Sequence, residues 1–494
     1  MVDNKGDDVS FVTAKQRKML EPISMLRGVM GGTKSMRENC QEMLPMYPAE
    51  RPSDYQGRVK RSVFTNYFSM TVKHLVGKAF SKPLVFNPDV PKEIRAWAED
   101  IDLQGTHLND FAANVFTEAL SVGFTSIFVD YPKILNVSTL AEERALNARP
   151  YMTMIPLENL LGVRTIGNAA QLTQARILEI TMEPNGRFGE KECRRIRVLY
   201  PGSYELYEFS SGRDSNTPQY NLVESGSVSP MKRIPLVPIY GVKAAAWLGE
   251  APLTDLAYKN IQHFQVDSDI GNALRVASFP ILAASGYDQD DDAVIKLAPN
   301  VVLTTKEDNG KFYYVEHTGT AIGVGRQRLE DLKADMATMG LQLMMSNHSG
   351  GEAPTASETL IKYSESTSHL QRMAFGLKDG IENAMLLVAE WAGLKEGGSI
   401  ELKGQYTLPK DVASEVQALI SLRNAREITS KTLLEELKRR DFLPEDFDID
   451  DEIALMELEK EDPMNAFPNV PNVPMVPKNP VTKKDKETPK KDEK

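Results

Sequence analysis

Residues 355–394 read TASETLIKYSESTSHLQRMAFGLKDGIENAMLLVAEWAGL. Apolar or small side chains recur at Leu360, Tyr363, Thr367, Leu370, Ala374, Leu377, Ile381, Ala384, Val388 and Trp391. The spacing alternates between three and four, which places them on one face of a helix, close to a heptad repeat. Pro354 precedes Thr355, and Thr355-Ala-Ser-Glu358 has the form of a capping box, whose Thr and Glu side chains satisfy free backbone N–H groups. Gly393 and the Gly397-Gly398 pair mark the end. Such a helix is roughly 60 Å long, and Gly376 and Gly380 inside it predict a bend. Two roles fit it: the central helix of a large helical domain, or a helix that serves an assembly.

Two shorter helical patterns lie upstream. The first runs from about Pro252 to Ala277, with Leu253, Leu256, Ala257, Ile261, Phe264, Ile270, Ala273 and Leu274, and Pro280 breaks it. The second runs from Gly325 to about Met345 on Leu329, Leu332, Met336, Met339 and Leu343. Between them lie strand-like segments Phe279–Ala284, Asn300–Thr305 and Lys311–Glu316, with Asp308-Asn309-Gly310 as a turn. This order predicts a stalk of two helices carrying a small head. After the second helix, Ser346-Asn-His-Ser-Gly-Gly-Glu352 is a polar, glycine-containing loop leading into the long helix.

The N-terminal half is mixed. Residues 15–47 read as helix, turn, helix; one helix is expected from Tyr55 to Phe80, and two more over 90–123, the second on Leu108, Phe111, Val115, Phe116, Ala119 and Leu120. The basic cluster Arg58, Lys60 and Arg61 reads as a solvated face. Ser126–Tyr131 is a buried-type strand stopped by Pro132. From 150 to 245 the pattern is antiparallel β, with Pro184-Asn-Gly186 and Pro201-Gly202 as turns. At the other end, residues 399–407 read as a strand, 411–426, 430–440 and 451–460 as helices, and 462–494 as a Pro- and Lys-rich tail that cannot bury enough apolar surface to fold.

The chain of 494 residues is long enough for several domains and a large core. No apolar run reaches the ~18 residues that span a bilayer, and the polar start is not a secretory signal. Cys40 and Cys193 are the only cysteines and suggest neither a disulfide framework nor a metal site. A net charge of −11 argues against tight wrapping of DNA. The segment Gly28-Val-Met-Gly31-Gly32-Thr33-Lys34-Ser35 comes close to a phosphate-binding P-loop. It has Thr33 where that loop needs Gly, and no strand pattern precedes it. No acid–base or nucleophile constellation points to an enzyme, and no cofactor is implied.

The order of elements resembles the portal proteins of tailed bacteriophages, with wing, stem, clip, stem, tunnel loop, long wing helix and crown. Local wording agrees: Tyr55-Gln-Gly-Arg58-Val-Lys-Arg61-Ser62-Val-Phe64-Thr-Asn66-Tyr, then Leu75-Val-Gly77-Lys78-Ala-Phe80-Ser-Lys82-Pro83, and the long helix itself. The resemblance implies an α+β, mainly helical fold. Its parts are an N-terminal wing (1–250), stem helix 1 (251–278), clip (279–323), stem helix 2 (324–343), tunnel loop (344–354), long wing helix (355–398), C-terminal strand and helical crown (399–461), and tail (462–494).

It further implies a homo-oligomeric ring, usually of twelve chains, at one capsid vertex of the virion, assembled in the host bacterial cytoplasm. Double-stranded DNA would pass through the ring. The terminase large subunit, the major capsid and scaffold proteins and a head–tail adaptor would bind it, and no membrane is involved. The DNA path would be lined by the stem acids Asp267, Asp269, Glu330, Asp331 and Asp335 and narrowed by the loop residues Ser346, Asn347, His348, Ser349, Gly350, Gly351 and Glu352. Like charge keeps phosphate from sticking. The apolar seams of the stalk are expected to need cover from sister copies. Two alternatives stay open: a P-loop-like packaging NTPase built on Gly28–Ser35, and a non-portal helical scaffold or adaptor.

Overall fold

A computed structural model describes residues 8–132, 148–167, 171–210, 219–228, 231–278, 281–285, 309–315, 320–341, 356–404, 412–425, 427–439, 443 and 447–461. The fold is mixed α and β. It comprises one compact unit within residues 1–408 and a second within 409–494.

The first unit begins with short helices, α1 (Ala14–Leu20), α2 (Ile23–Met30), α3 (Gly32–Glu38) and α4 (Cys40–Met43). The expected single turn over residues 28–35 is instead a junction of two helices, with Gly28 inside α2. The expected helix from Tyr55 to Phe80 is two helices, α5 (Pro52–Arg61) and α6 (Tyr67–Ala79). The chain turns extended at Ser62, and Asn66 caps α6 by accepting from Ser69 N at 2.8 Å. This local bond offers the backbone an alternative to helix, which the apolar spacing did not reveal.

Strand β1 (Val85–Phe86), α7 (Lys92–Trp97) and α8 (Leu108–Val122) follow. All six seam residues expected on α8 are buried. The helix runs into β2 (Phe124–Asp130), the central strand of a three-stranded antiparallel sheet between β3 (Tyr151–Ile155) and β9 (Leu236–Tyr240). Arg27 on α2 ties these pieces together. Its Nε and Nη2 donate to both Glu158 oxygens at 2.6 and 2.8 Å, and its Nη1 donates to Glu118 on α8 at 2.8 Å.

Strands β4 (Leu160–Ile166), β5 (Gln171–Asn185), β6 (Gly189–Tyr200), β7 (Ser203–Ser210) and β8 (Gln219–Ser227) form an antiparallel meander, with β10 (Val242–Ala245) and β11 (Leu248–Glu250) as a separate hairpin. Strand β8 has no counterpart in the sequence reading. The stem follows: α9 (Thr254–Ala277), strands β12 (Ile281–Ser285) and β13 (Lys311–Val315), and α10 (Thr320–Met336), which continues as a π-helical turn over Ala337–Leu341. Helix α10 thus starts inside the stretch expected to be clip. The expected strand at 300–305 lies outside the described residues.

The long helix is α11 (Ala356–Ala392), within two residues of its expected ends. Its seam from Leu370 through Ala374, Leu377, Ile381 and Ala384 to Val388 is buried, at most 1% exposed at any of the six. It lies on β9, β2, α6 and α8 of the same chain. Of the two roles open to this helix, the part from Leu370 to Val388 shows the first, a central helix buried in its own domain. A three–four apolar stripe marks a helix buried in its own domain as well as one buried in an assembly. The helix is one continuous element, and Gly380 serves close approach, since a Cβ there would come within 2.1 Å of Ile239 Cδ1 on β9. Strand β14 (Ile400–Glu401) then pairs antiparallel with β1.

The second unit holds α12 (Val412–Asn424), α13 (Ser430–Arg439) and α14 (Ile449–Glu461), matching the three helices expected there. Thr429 caps α13, accepting from Thr432 N at 3.1 Å, while Ser430 Oγ accepts from Arg423 at 2.8 Å.

Candidate channel-forming stem

Helix α9 leaves the core as an anchored stalk. Leu253, Leu256, Ala257, Ile261 and Phe264 are buried in the body. Asn260, fully buried, accepts from Phe68 N at 3.0 Å and donates to the Thr65 carbonyl at 2.9 Å, so it holds the start of α6. Ser62 Oγ donates to Ser268 Oγ at 2.8 Å, Gln265 Nε2 donates to the Met43 carbonyl at 3.0 Å, and the Phe64 and Phe264 rings meet edge to face at 5.5 Å. Beyond Ser268 the helix keeps the body only on the side of Tyr47, through Asp269, Asn272 and Arg275, and Leu274 and Arg275 are exposed.

Helix α10 returns antiparallel to α9. Lys259 Nζ reaches Asp335 at 2.8 Å near the body, and Gly325 lies against Ile270 farther out. Leu332 and Met336 are fully buried at this contact, so the expected stalk seams are covered within the chain over this part of their length. Tyr258, Leu274, Val324 and Met339 remain exposed on the stem. Strands β12 and β13 pair from Ile281–Val315 to Ser285–Lys311, a two-stranded clip across the hairpin's outer end.

The five stem acids do not share one face. Asp267 and Asp269 are two positions apart, about 200° around the helix. Asp269 accepts from the Tyr47 hydroxyl. Burial first, and Asp269 second, push the Tyr47 pKa up to about 12. Asp335 is held below the usual carboxylate range by Lys259, and Glu330 by Lys333, whose Nζ is 2.8 Å away. Asp331 accepts from Gln327 Nε2 at 3.0 Å. Asp267, Glu330 and Lys333 act together on Tyr67 and His263, on the face turned to α6. The loop residues Ser346, Asn347, His348, Ser349, Gly350, Gly351 and Glu352 lie outside the described residues.

Two features escaped the sequence reading. Arg58 is not solvated. Its side chain is 3% exposed and forms a two-pronged pair with Glu50 at 2.9 and 2.7 Å, donates to the Pro45 carbonyl at 2.9 Å, and lies 4.3 Å over the Tyr47 ring. It is a cationic clamp that positions Tyr47 beside Asp269. Buried His263 meets Tyr67 edge to face at 5.3 Å, and among the described residues its Nε2 has no hydrogen-bond partner. Neither could be found from spacing: the partners of Arg58 lie 8 to 13 residues back, across an irregular segment with Pro48 and Pro52, and His263 meets Tyr67 from a distant part of the chain.

The near P-loop spans the end of α2 and the start of α3, with a helix rather than a strand before it, and Lys34 is exposed and 3.9 Å from Glu38. A P-loop presents its N–H groups from a strand-to-helix turn, and this junction joins two helices. Among the described residues no group of three His, Cys, Asp or Glu side chains could hold a metal ion. None of the described helices is long and apolar enough to cross a membrane.

Residues 252–392 match the family described as Domain of unknown function (DUF4055). That span runs from the base of α9 through the clip to the end of α11. No curated protein matches the chain. Among solved structures it is similar to a chain of the neck of an empty gene transfer agent (GTA) particle computed with C6 symmetry, at 12% identity and a TM-score of 0.40, over 80% of this chain and 91% of that one. A chain of the virion of the native GTA particle gives 12% identity and 0.40, over 76% and 89%. A chain of the native GTA neck computed with C12 symmetry gives 12% and 0.39, over 82% and 98%. Scores this low do not establish a shared fold.

Proposed function

We propose that this chain is the subunit of a portal-type ring in a virion, through which double-stranded DNA is packaged and ejected. One observation carries the reading: an antiparallel two-helix stem, anchored at its base and bearing a small β clip at its outer end, is followed by one 37-residue helix through the core of the body. A body, a protruding stem and a clip are the parts a channel wall needs when copies stand side by side. The ring provides a conduit; a separate terminase supplies the work, and a terminase large subunit and later a head–tail adaptor dock at the clip end. Contacts with major capsid and scaffold protein fall to the body. The chain itself is not an enzyme.

The acidic excess, 69 Asp and Glu against 58 Lys and Arg, suits a wall past which phosphate slides. Electron microscopy of the purified full-length chain, with a native mass, tests the reading. Rings of about a dozen copies with an axial hole wide enough for a duplex support it. A monomer at every concentration, or an assembly without a hole, overturns it.

A further inference from the structure

One hairpin carries apolar side chains away from the body. Strand β5 pairs with β4 only as far as Ile177, and β6 pairs with β7 only from Arg195 onward. Between the Ile180–Arg194 and Asn185–Gly189 pairs, β5 and β6 therefore have only each other among the described residues. The result is a two-stranded ribbon about 20 Å long. Ile180 and Met182 share one of its faces, and both are exposed. Phe188, in the turn, is 88% exposed, more than any other large apolar side chain among the described residues. Two strands with no covered face are marginal in water, so the ribbon gains from a surface to lie on.

The tip is also slightly basic. Residues 183–195 hold four basic and three acidic side chains. Glu183 faces Arg195 at 2.7 Å and Glu192 faces Arg194 at 2.6 Å, while Glu190 is set off by Lys191 beside it. Arg187 is left over. No carboxylate binds it among the described residues, and its guanidinium lies 5.0 Å over the Phe188 ring, so cation and aromatic form one knob.

A socket of the complementary kind lies at the base of the stem. An open cavity of about 600 Å³ is lined by buried Met25 and Met43 and by exposed Tyr258 and Met339. Methionine suits an aromatic guest, because the flexible thioether adapts its shape and packs well against a ring edge. The rim carries Asp255 and Glu42. Among the described residues Asp255 makes no ion pair or side-chain hydrogen bond, and Glu42 only accepts from the Ser24 hydroxyl at 3.1 Å. Lys259, which also lines the cavity, is held by Asp335 at 2.8 Å. Two carboxylates are thus open to a cation.

We infer that the knob of one copy seats in the socket of the next, with the Phe188 ring in the methionine-lined cavity and the Arg187 guanidinium against Asp255 and Glu42. The inference rests on the ring reading above. A chain's own Phe188 is exposed, so it does not fill its own socket. Knob and socket are different patches of one chain, which makes the contact head-to-tail, the kind that closes into a ring. An aromatic anchor with an arginine beside it is the composition that dominates binding energy where protein surfaces meet.

Two full-length variants test this. Phe188→Ala keeps the fold, read by circular dichroism, because that side chain touches little of its own chain. It raises the concentration for half-assembly, read by mass photometry, by about tenfold or more. The second variant combines Phe188→Cys with Gln262→Cys, an exposed residue of the socket, and adds Cys40→Ser to remove the less buried native thiol. Treated with a short bis-maleimide, its rings give a ladder of linked chains on a denaturing gel, and neither cysteine alone does so. The inference fails if folded Phe188→Ala assembles like wild type, or if double-cysteine rings give no ladder. A wild-type chain that forms no ring overturns the ring reading together with this contact. Wild-type rings with either of those two failures overturn the contact alone.

Discussion

Gly325 of α10 lies so close to Ile270 of α9 that a Cβ at 325 would stand 2.8 Å from Ile270 Cγ1. Ile270 meets no core side chain other than those of the stem pair, so this contact sets how tightly the two helices run. A leucine at 325 would push them apart at a cost of about 1–3 kcal/mol. Gly323, two positions away, has nothing within 4 Å of its Cβ site. Gly323→Ala removes only the helix penalty of glycine and should stabilise by about 1 kcal/mol. Urea unfolding of both variants should show opposite shifts in midpoint. A neutral Gly325→Leu would mean that the stem is spaced by something other than this contact.

What the sequence made legible, and what it hid, follows from the range of the interactions. The α11 register from Leu370 to Val388 and the α8 seam were readable because both are periodic and local. The direction of cover was not. A stripe does not say whose surface lies against it, and β9, which covers α11, is more than a hundred residues away. The break between α5 and α6 was hidden because Asn66 capping and Asn260 anchoring act through single polar atoms. The acids of the stem were visible, but their separation onto different faces needed the partners Tyr47, Lys259 and Lys333.

The Arg58–Glu50 pair should be among the costliest single sites in the molecule. Both side chains are nearly buried, 3% and 8% exposed, so removing one leaves the other charged and unpaired. Arg58→Ala or Glu50→Ala should destabilise by about 3–5 kcal/mol. Arg58→Lys should recover only part of this, because an ammonium cannot grip both carboxylate oxygens in one plane. The pair also gives an acid limb. Arg58 holds the Glu50 carboxyl below its ordinary 4.5, so its stabilisation is complete above that pH and drains away as pH falls through the lower folded value. Denaturation midpoints measured between pH 5 and pH 2 should fall less steeply in Glu50→Gln than in the wild type.

If the polar loop meets DNA phosphate, its side chains matter to DNA and not to assembly. Replacing Asn347, His348 and Ser349 together by glycine keeps the length of the segment. Ring size and yield should stay at wild-type values while encapsidated DNA is packaged less completely or leaks on storage, measured as nuclease-protected DNA per particle. Unchanged protected DNA would remove the loop from the DNA path.

His263 sets a second, milder pH window. Burial holds its imidazole below the ordinary 6.5; Asp267 and Glu330 oppose that shift and Lys333 reinforces it, with the Tyr67 ring on the remaining side. The folded chain therefore keeps His263 neutral where the unfolded chain takes up a proton. The unfolded state then binds more protons, so stability must fall as pH drops below 6.5, with one proton limiting the slope to about 1.4 kcal/mol per pH unit. This window lies above the one governed by Glu50, so the two separate in a single titration. His263→Leu removes a buried nitrogen that has no partner, which costs little or is favourable at pH 7. The variant should match or exceed wild-type stability at pH 7 and lose less between pH 6.5 and pH 5. Equal losses in the two proteins over that interval would show that His263 is not the group that titrates.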